Sequence, residues 1–138
     1  MALQVTFDCT DAHAQAAFWA VALDAEIEDH HDHVAGVIEA GFVEADSPDI
    51  ETVEGRRRWR THAAVVVPDG NRLLFQAVPE GKVAKNRVHL DLHLAEGARA
   101  GKVEALLALG ATKLWDGQLG PQTWVTLADP EGNELCVA

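Results

Sequence analysis

The chain has 138 residues, enough for one ordinary domain with its own core, and no second domain needs to be sought. Its 22 acidic and 11 basic residues leave a net charge of −11, which repels phosphate backbones and anionic membranes, so neither nucleic acid nor a membrane is expected as a partner. The opening "MALQVTFDCT" lacks the basic start and apolar run of a secretory signal, and two cysteines, Cys9 and Cys136, are too few for a disulfide framework; a cytoplasmic protein with reduced thiols is expected.

In chain order, "LQVTFDC" alternates as a strand, with Leu3, Val5, Phe7 and Cys9 on one face and Gln4, Thr6 and Asp8 on the other. A helix follows, capped at Thr10 or Asp11, with Ala14, Ala17, Phe18, Val21 and Ala22 at helical spacing. "EDHHDH" gathers His30, His31 and His33 among acids, and its place at a predicted helix start makes it a surface loop in this reading. Val34, Val37, Ile38 and Gly41 then predict a short helix behind an Asp cap. "RRRWR" holds four of the eleven basic residues and reads as a solvated strand edge. Further on, "RVHLDLHLAEG" alternates strictly: His89, Asp91 and His93 share one face, while Leu90, Leu92 and Leu94 share the other. A second helix carries Val103, Leu106, Leu107 and Leu109 as its apolar stripe.

The chain repeats itself. "VPDGNRLLFQ" and "DPEGNELCV" are both Pro-acid-Gly-Asn turns leading into an apolar strand. Trp59-x-Thr61-x-Ala63 before the first echoes Trp124-x-Thr126-x-Ala128 before the second. A duplicated β-α-β-β-β unit describes this most economically, with module 1 over 1–78, a linker over 79–86 and module 2 over 87–138, all forming one domain over 1–138.

In order and spacing, "FDCTDAHAQAAFWAVAL", "LLFQAVPEGKVAKNRVHLDL" and "WVTLADPEGNELCVA" resemble the vicinal oxygen chelate superfamily, specifically its glyoxalase-like domains, over essentially the whole chain. The resemblance implies an α+β fold: two βαβββ modules forming a strongly curved mixed sheet, helices outside and a ligand cavity inside. The leucine face would pack on the helix side, leaving His89, Asp91 and His93 toward the cavity with Gln4, Glu134 and Cys136. Metal-dependent relatives carry ligands near the start of each module's first strand and the end of its last. By position this implies a tentative metal set of His89, Gln4, Glu134 and Cys136, which suits zinc or nickel; a metal-free form is an equal expectation. Because Cys136 stands where a glutamate would be expected, the resemblance does not extend to lactoylglutathione formation.

Two functions follow from the same cup. In the first, a small lyase or isomerase acts on a carbonyl or vicinal-oxygen substrate, with His89 moving the proton and Asp91 assisting. In the second, the protein sequesters a small molecule, as antibiotic-binding relatives do, with His93, Gln76, Trp124 and Trp59 lining the pocket. The partner is a small molecule in both, and a homodimer is expected from the relatives.

Overall fold

A computed structural model describes residues 3–138 of the chain. The first half contains β1 (Gln4–Cys9), α1 (Ala12–Leu23), β2 (Glu26–Ile27), α2 (His31–Glu39), β3 (Ile50–Val53), β4 (Arg56–Trp59), β5 (His62–Val66) and β6 (Arg72–Ala77). The second contains β7 (Leu90–Leu92), α3 (Arg99–Ala108), β8 (Thr112–Leu119), β9 (Gln122–Ala128) and β10 (Glu134–Val137). No helix among the described residues is long and apolar enough to cross a membrane.

Eight strands form two four-stranded mixed sheets with matching order, β1-β6-β5-β2 and β7-β10-β9-β8. In each, the first strand runs parallel to the last, and the remaining neighbours are antiparallel. This is the βαβββ repeat of an α+β fold, with no closed barrel. The first copy is enlarged by α2 and the separate hairpin of β3 and β4.

The hairpin register corrects one internal echo. Ala64 pairs with Leu74 as Thr126 pairs with Cys136, so the strand position matching Trp124 is His62. Trp59 lies in β4, outside both four-stranded sheets, because the inserted hairpin interrupts the repeat before β5 begins.

One apolar core runs through both halves. It joins Trp19, Phe75, Ala63 and Val65 of the first to Leu92, Leu106, Leu127, Leu135 and Val137 of the second. Phe7 lies against Trp19 and Phe75 with ring centroids 5.2 and 5.5 Å away. In α3 the core takes Leu106 and Val103, whereas Leu107 and Leu109 are 40% and 46% exposed. Leu107 follows Leu106 by about 100° of helical rotation and Leu109 is the C-cap, so the stripe is narrower than its leucine count suggests.

Polar groups lock the halves together at α1. Asp11 is its N-cap, accepting from the N–H groups of His13 and Ala14 at 3.1 and 2.9 Å. The Glu131 carboxylate, from the turn before β10, accepts from Thr10 and Asp11 N–H at 2.6 and 2.9 Å. Asp24 ends the helix in the left-handed region, φ 49°, and Lys102 of α3 bonds both its carboxylate and the Val21 carbonyl at 2.7 Å. Asp129, buried at 3% exposure, accepts from Trp19 Nε1–H at 3.0 Å and from Asn133 backbone and side-chain N–H at 2.8 and 2.9 Å.

The histidine tract serves the fold instead of forming a free surface loop. His30 is buried beside Glu28, His31 Nδ1 accepts the Arg57 N–H at 2.9 Å, and the His33 ring faces Trp59. Because the inserted hairpin packs on α2, the imidazoles of His31 and His33 become its contacts. Asp29, Arg56, Glu51, Arg58 and Arg60 form ion pairs across the same insertion.

Trp19→Phe keeps the ring packing while removing one donor from the buried Asp129 carboxylate. The expected loss is about 1–3 kcal/mol, read as a lower urea midpoint with an unchanged slope.

Candidate functional site

β7 is an edge strand of three residues, paired only with β10, so His89 and His93 flank it. The alternation holds across it: Leu92 is 7% exposed and Leu90 and Leu94 pack on the core, while His89, Asp91 and His93 are exposed. Burial of the leucines therefore fixes the polar residues on the open face.

Three of those side chains meet. His89 Nδ1 lies 2.8 Å from Asp91 Oδ1, and Cys136 Sγ lies 3.9 Å from the same nitrogen. Donor atoms of His89, Asp91 and Cys136 all fall within 4.8 Å of one another. The parallel register sets Asp91 directly opposite Cys136, and Cys136 opposite Thr126, whose hydroxyl is 3.6 Å from the sulfur. Burial pushes the Cys136 thiol above its ordinary 9.0, the Thr126 hydroxyl opposes this and the Asp91 carboxylate adds to it. At neutral pH the sulfur is a thiol. A cysteine–histidine–aspartate relay places thiol and carboxylate on different ring nitrogens, whereas here both face Nδ1, so nucleophilic catalysis by Cys136 is not built in.

The other expected ligands are engaged elsewhere. Gln4 Oε1 accepts from Arg72 at 2.6 Å, and Arg72 in turn holds Glu28. Glu134 accepts from Asn86 N–H at 3.1 Å and lies 3.5 Å from Lys82, fastening residues 82–86 to β10. Burial raises the Glu134 carboxyl, but its own and the Asn86 N–H groups, with Lys82, outweigh this and hold it below 4.5. The residues brought together are thus His89 and Cys136 with Asp91, a nitrogen, an oxygen and a sulfur. That set suits zinc better than manganese, which favours oxygen ligands.

Among the proposed pocket residues, Trp124 shares the open face with Thr126 and Cys136, and its indole occupies the space above Gly117, where a Cβ would stand 2.1 Å from the ring. Gln76 lies on the polar face of the other sheet, opposite Asp8 and His62. The Trp59 carbonyl lies 2.8 Å from His13 Nε2, which donates to it from α1. His93 stands exposed beyond the end of β7. Beside His89 a crevice of about 580 Å³ opens between β1 and residues 78–90, lined by Thr6, Asp8, Lys82, Arg87 and Asn133.

Trp115 was not singled out by the alternation patterns. The Gly120-Pro121 turn pairs Leu119 with Gln122, Gly117 with Trp124 and Trp115 with Thr126, which puts Trp115 on the open face, 48% exposed. That two-residue turn was the available signal; the bulge between Lys113 and Trp115 hides the parity further along β8.

A profile for the family described as "Glyoxalase-like domain" matches residues 4–138. No curated protein matches. Among solved structures, fosfomycin resistance protein FosX from Mesorhizobium loti superposes with TM-score 0.65 at 13% identity, covering 97% of this chain and 86% of that one. A glyoxalase/bleomycin resistance protein/dioxygenase family enzyme from Burkholderia phytofirmans PsJN gives TM-score 0.65 at 14% identity, covering 97% and 94%. A FosX variant from Listeria monocytogenes, complexed with Mn(II) and 1S,2S-dihydroxypropylphosphonic acid, gives 0.63 at 11% identity, covering 99% and 86%.

Because the folded Glu134 carboxyl sits below its ordinary value, its stabilising effect is complete above 4.5 and is lost as pH falls through the lowered value. Wild type should therefore exceed Glu134→Gln in melting temperature at pH 6–7, and the gap should close on acidification toward pH 3.

Proposed function

The chain belongs to the glyoxalase-like domain family, and from that premise we propose that it is a small lyase- or isomerase-type enzyme acting on a carbonyl or vicinal-oxygen substrate. The observation that carries the reading is the 2.8 Å contact between His89 Nδ1 and Asp91 Oδ1. With Nδ1–H donated to the carboxylate, the ring is held in the tautomer whose Nε2 is an unprotonated acceptor. On that reading, Nε2 takes a proton from the carbon beside a substrate carbonyl. The C–H electron pair moves into the C–C bond, and the carbonyl π pair moves onto oxygen as an enolate. Where the carbon that lost the proton also bears a hydroxyl, return of the proton to the former carbonyl carbon, with the hydroxyl proton passing to the enolate oxygen, completes an isomerisation; loss of a β leaving group instead completes an elimination. Asp91 stabilises the imidazolium formed between the two steps.

Lactoylglutathione formation is outside the proposal, since the last strand offers Cys136 where that chemistry calls for a carboxylate. The 4.8 Å clustering of His89, Asp91 and Cys136 favours a second reading, in which these residues hold a zinc ion. Such an ion would supply Lewis-acid polarisation of a substrate oxygen. The small-molecule partner, homodimeric state and cytoplasmic location expected above belong to the same proposal.

The test is a screen of aldehydes, ketones and α-hydroxy carbonyls for proton exchange in deuterated water, followed by NMR. His89→Ala should lose at least 100-fold in exchange rate and Asp91→Asn 10- to 100-fold, with melting temperatures within a few degrees of wild type. Full exchange in His89→Ala removes the assignment. Metal content, measured on untagged protein before and after EDTA, separates the two readings: one zinc per chain, lost in His89→Ala and in Cys136→Ala, selects the second.

A further inference from the structure

The row of residues that begins at Asp91 does not stop at Cys136. Register places Asp91 opposite Cys136, Cys136 opposite Thr126, and Thr126 opposite Trp115, so these four side chains cross all four strands on one face. Four strands span three interstrand gaps, about 14 Å from first to last. At one end stand the ionisable groups His89 and Asp91; at the other stands an indole that is 48% exposed although Trp is ordinarily among the more covered side chains. Trp124 flanks it. The Trp124 indole reaches across to β8 and fills the place above Gly117, two residues beyond Trp115 on the same face, which is about 7 Å along the strand. Glycine at 117 is what admits the ring there. Within the row, the two ends are separated by the half-buried Cys136 thiol and by Thr126, which is 2% exposed, so no long polar side chain of the row stands between them.

We infer that Trp115 and Trp124 form an aromatic shelf that selects a planar, ring-bearing ligand, whose polar end reaches the His89–Asp91 pair. This rests on the open face being the ligand site, as proposed above, and adds the ligand's chemical class. Two indoles presented on one face favour stacking on a flat π system over contact with a puckered ring of equal size. The half-buried Cys136 thiol beside them presents a weakly polar surface, over which a bicyclic ring lies without losing strong hydrogen bonds to water.

The experiment uses the indole N–H signals of the four tryptophans in the ¹⁵N-labelled full chain, titrated with 2-naphthol and, separately, with trans-2-decalol, its saturated counterpart. 2-Naphthol should shift the Trp115 and Trp124 signals, leave Trp19 and Trp59 in place and bind at least tenfold more tightly than the decalol. Trp115→Ala should lose that preference, and His89→Ala should keep the shifts. Equal affinity for the two compounds, or shifts confined to Trp19 or Trp59, overturns the inference, as does movement of the Trp115 signal on dilution without ligand, which assigns the face to a second copy of the chain. Proton exchange that depends on His89 but shows no preference for planar substrates overturns the shelf alone. Planar-selective binding without exchange leaves the shelf standing and removes the enzyme reading.

Discussion

The structure turns on a buried carboxylate. Asp129 lies at the turn that launches the last strand, and its oxygens collect N–H groups from Asn133 below and from Trp19 of the opposite module. A polar group taken out of water is tolerated only where donors replace the solvent, so the hydrogen bonds of this turn couple it to α1. Glu131, two residues on, makes the dependence mutual by receiving the first N–H groups at the start of α1. The two modules are thereby fixed on their helix sides, and their polar faces are left open.

Duplication supplied two equivalent faces, and the residues on them have diverged. Thr6 pairs with Leu74 in the first sheet at the register where Asp91 pairs with Cys136 in the second, and Gln4, paired with Arg72, stands two residues earlier, at the place of His89. In the first, Arg72 ties Gln4 to Glu28 and the face becomes a charge network. In the second, the same places carry an imidazole, a carboxylate and a thiol within reach of one another. One scaffold thus holds a structural half and a chemically equipped half, consistent with chemistry being carried by sites and not by the fold.

The insertion in the first module follows the same economy of partners. In a chain with a strong negative charge, four arginines are gathered over 56–60, a run that reads in sequence as a solvated strand edge. Carboxylates of the chain itself meet three of them: Asp29 takes Arg56, and Glu51 is shared by Arg58 and Arg60. The histidines of α2 are absorbed in the same way, by backbone N–H and by aromatic contact.

Sequence alone determined the duplicated α+β plan, the two glycine turns and the face on which His89, Asp91 and His93 stand. These are local consequences of a period of two in strands, helical spacing and turn chemistry, all written in neighbouring residues. The ligand set was not legible, because Gln4 and Glu134 have the right residue types and parity and are nonetheless held by Arg72, Lys82 and Asn86, residues distant in the chain. Trp59 was misplaced because an inserted hairpin looks in sequence like the start of β5, and Trp115 is placed only by counting back from the Gly120-Pro121 turn, since the bulge between Lys113 and Trp115 breaks the parity that runs from the helix side. Which polar side chains remain free to meet one another is decided by long-range pairing, since each hydrogen bond made in folding removes a group from the set available for chemistry, and only the tertiary structure fixes who pairs with whom.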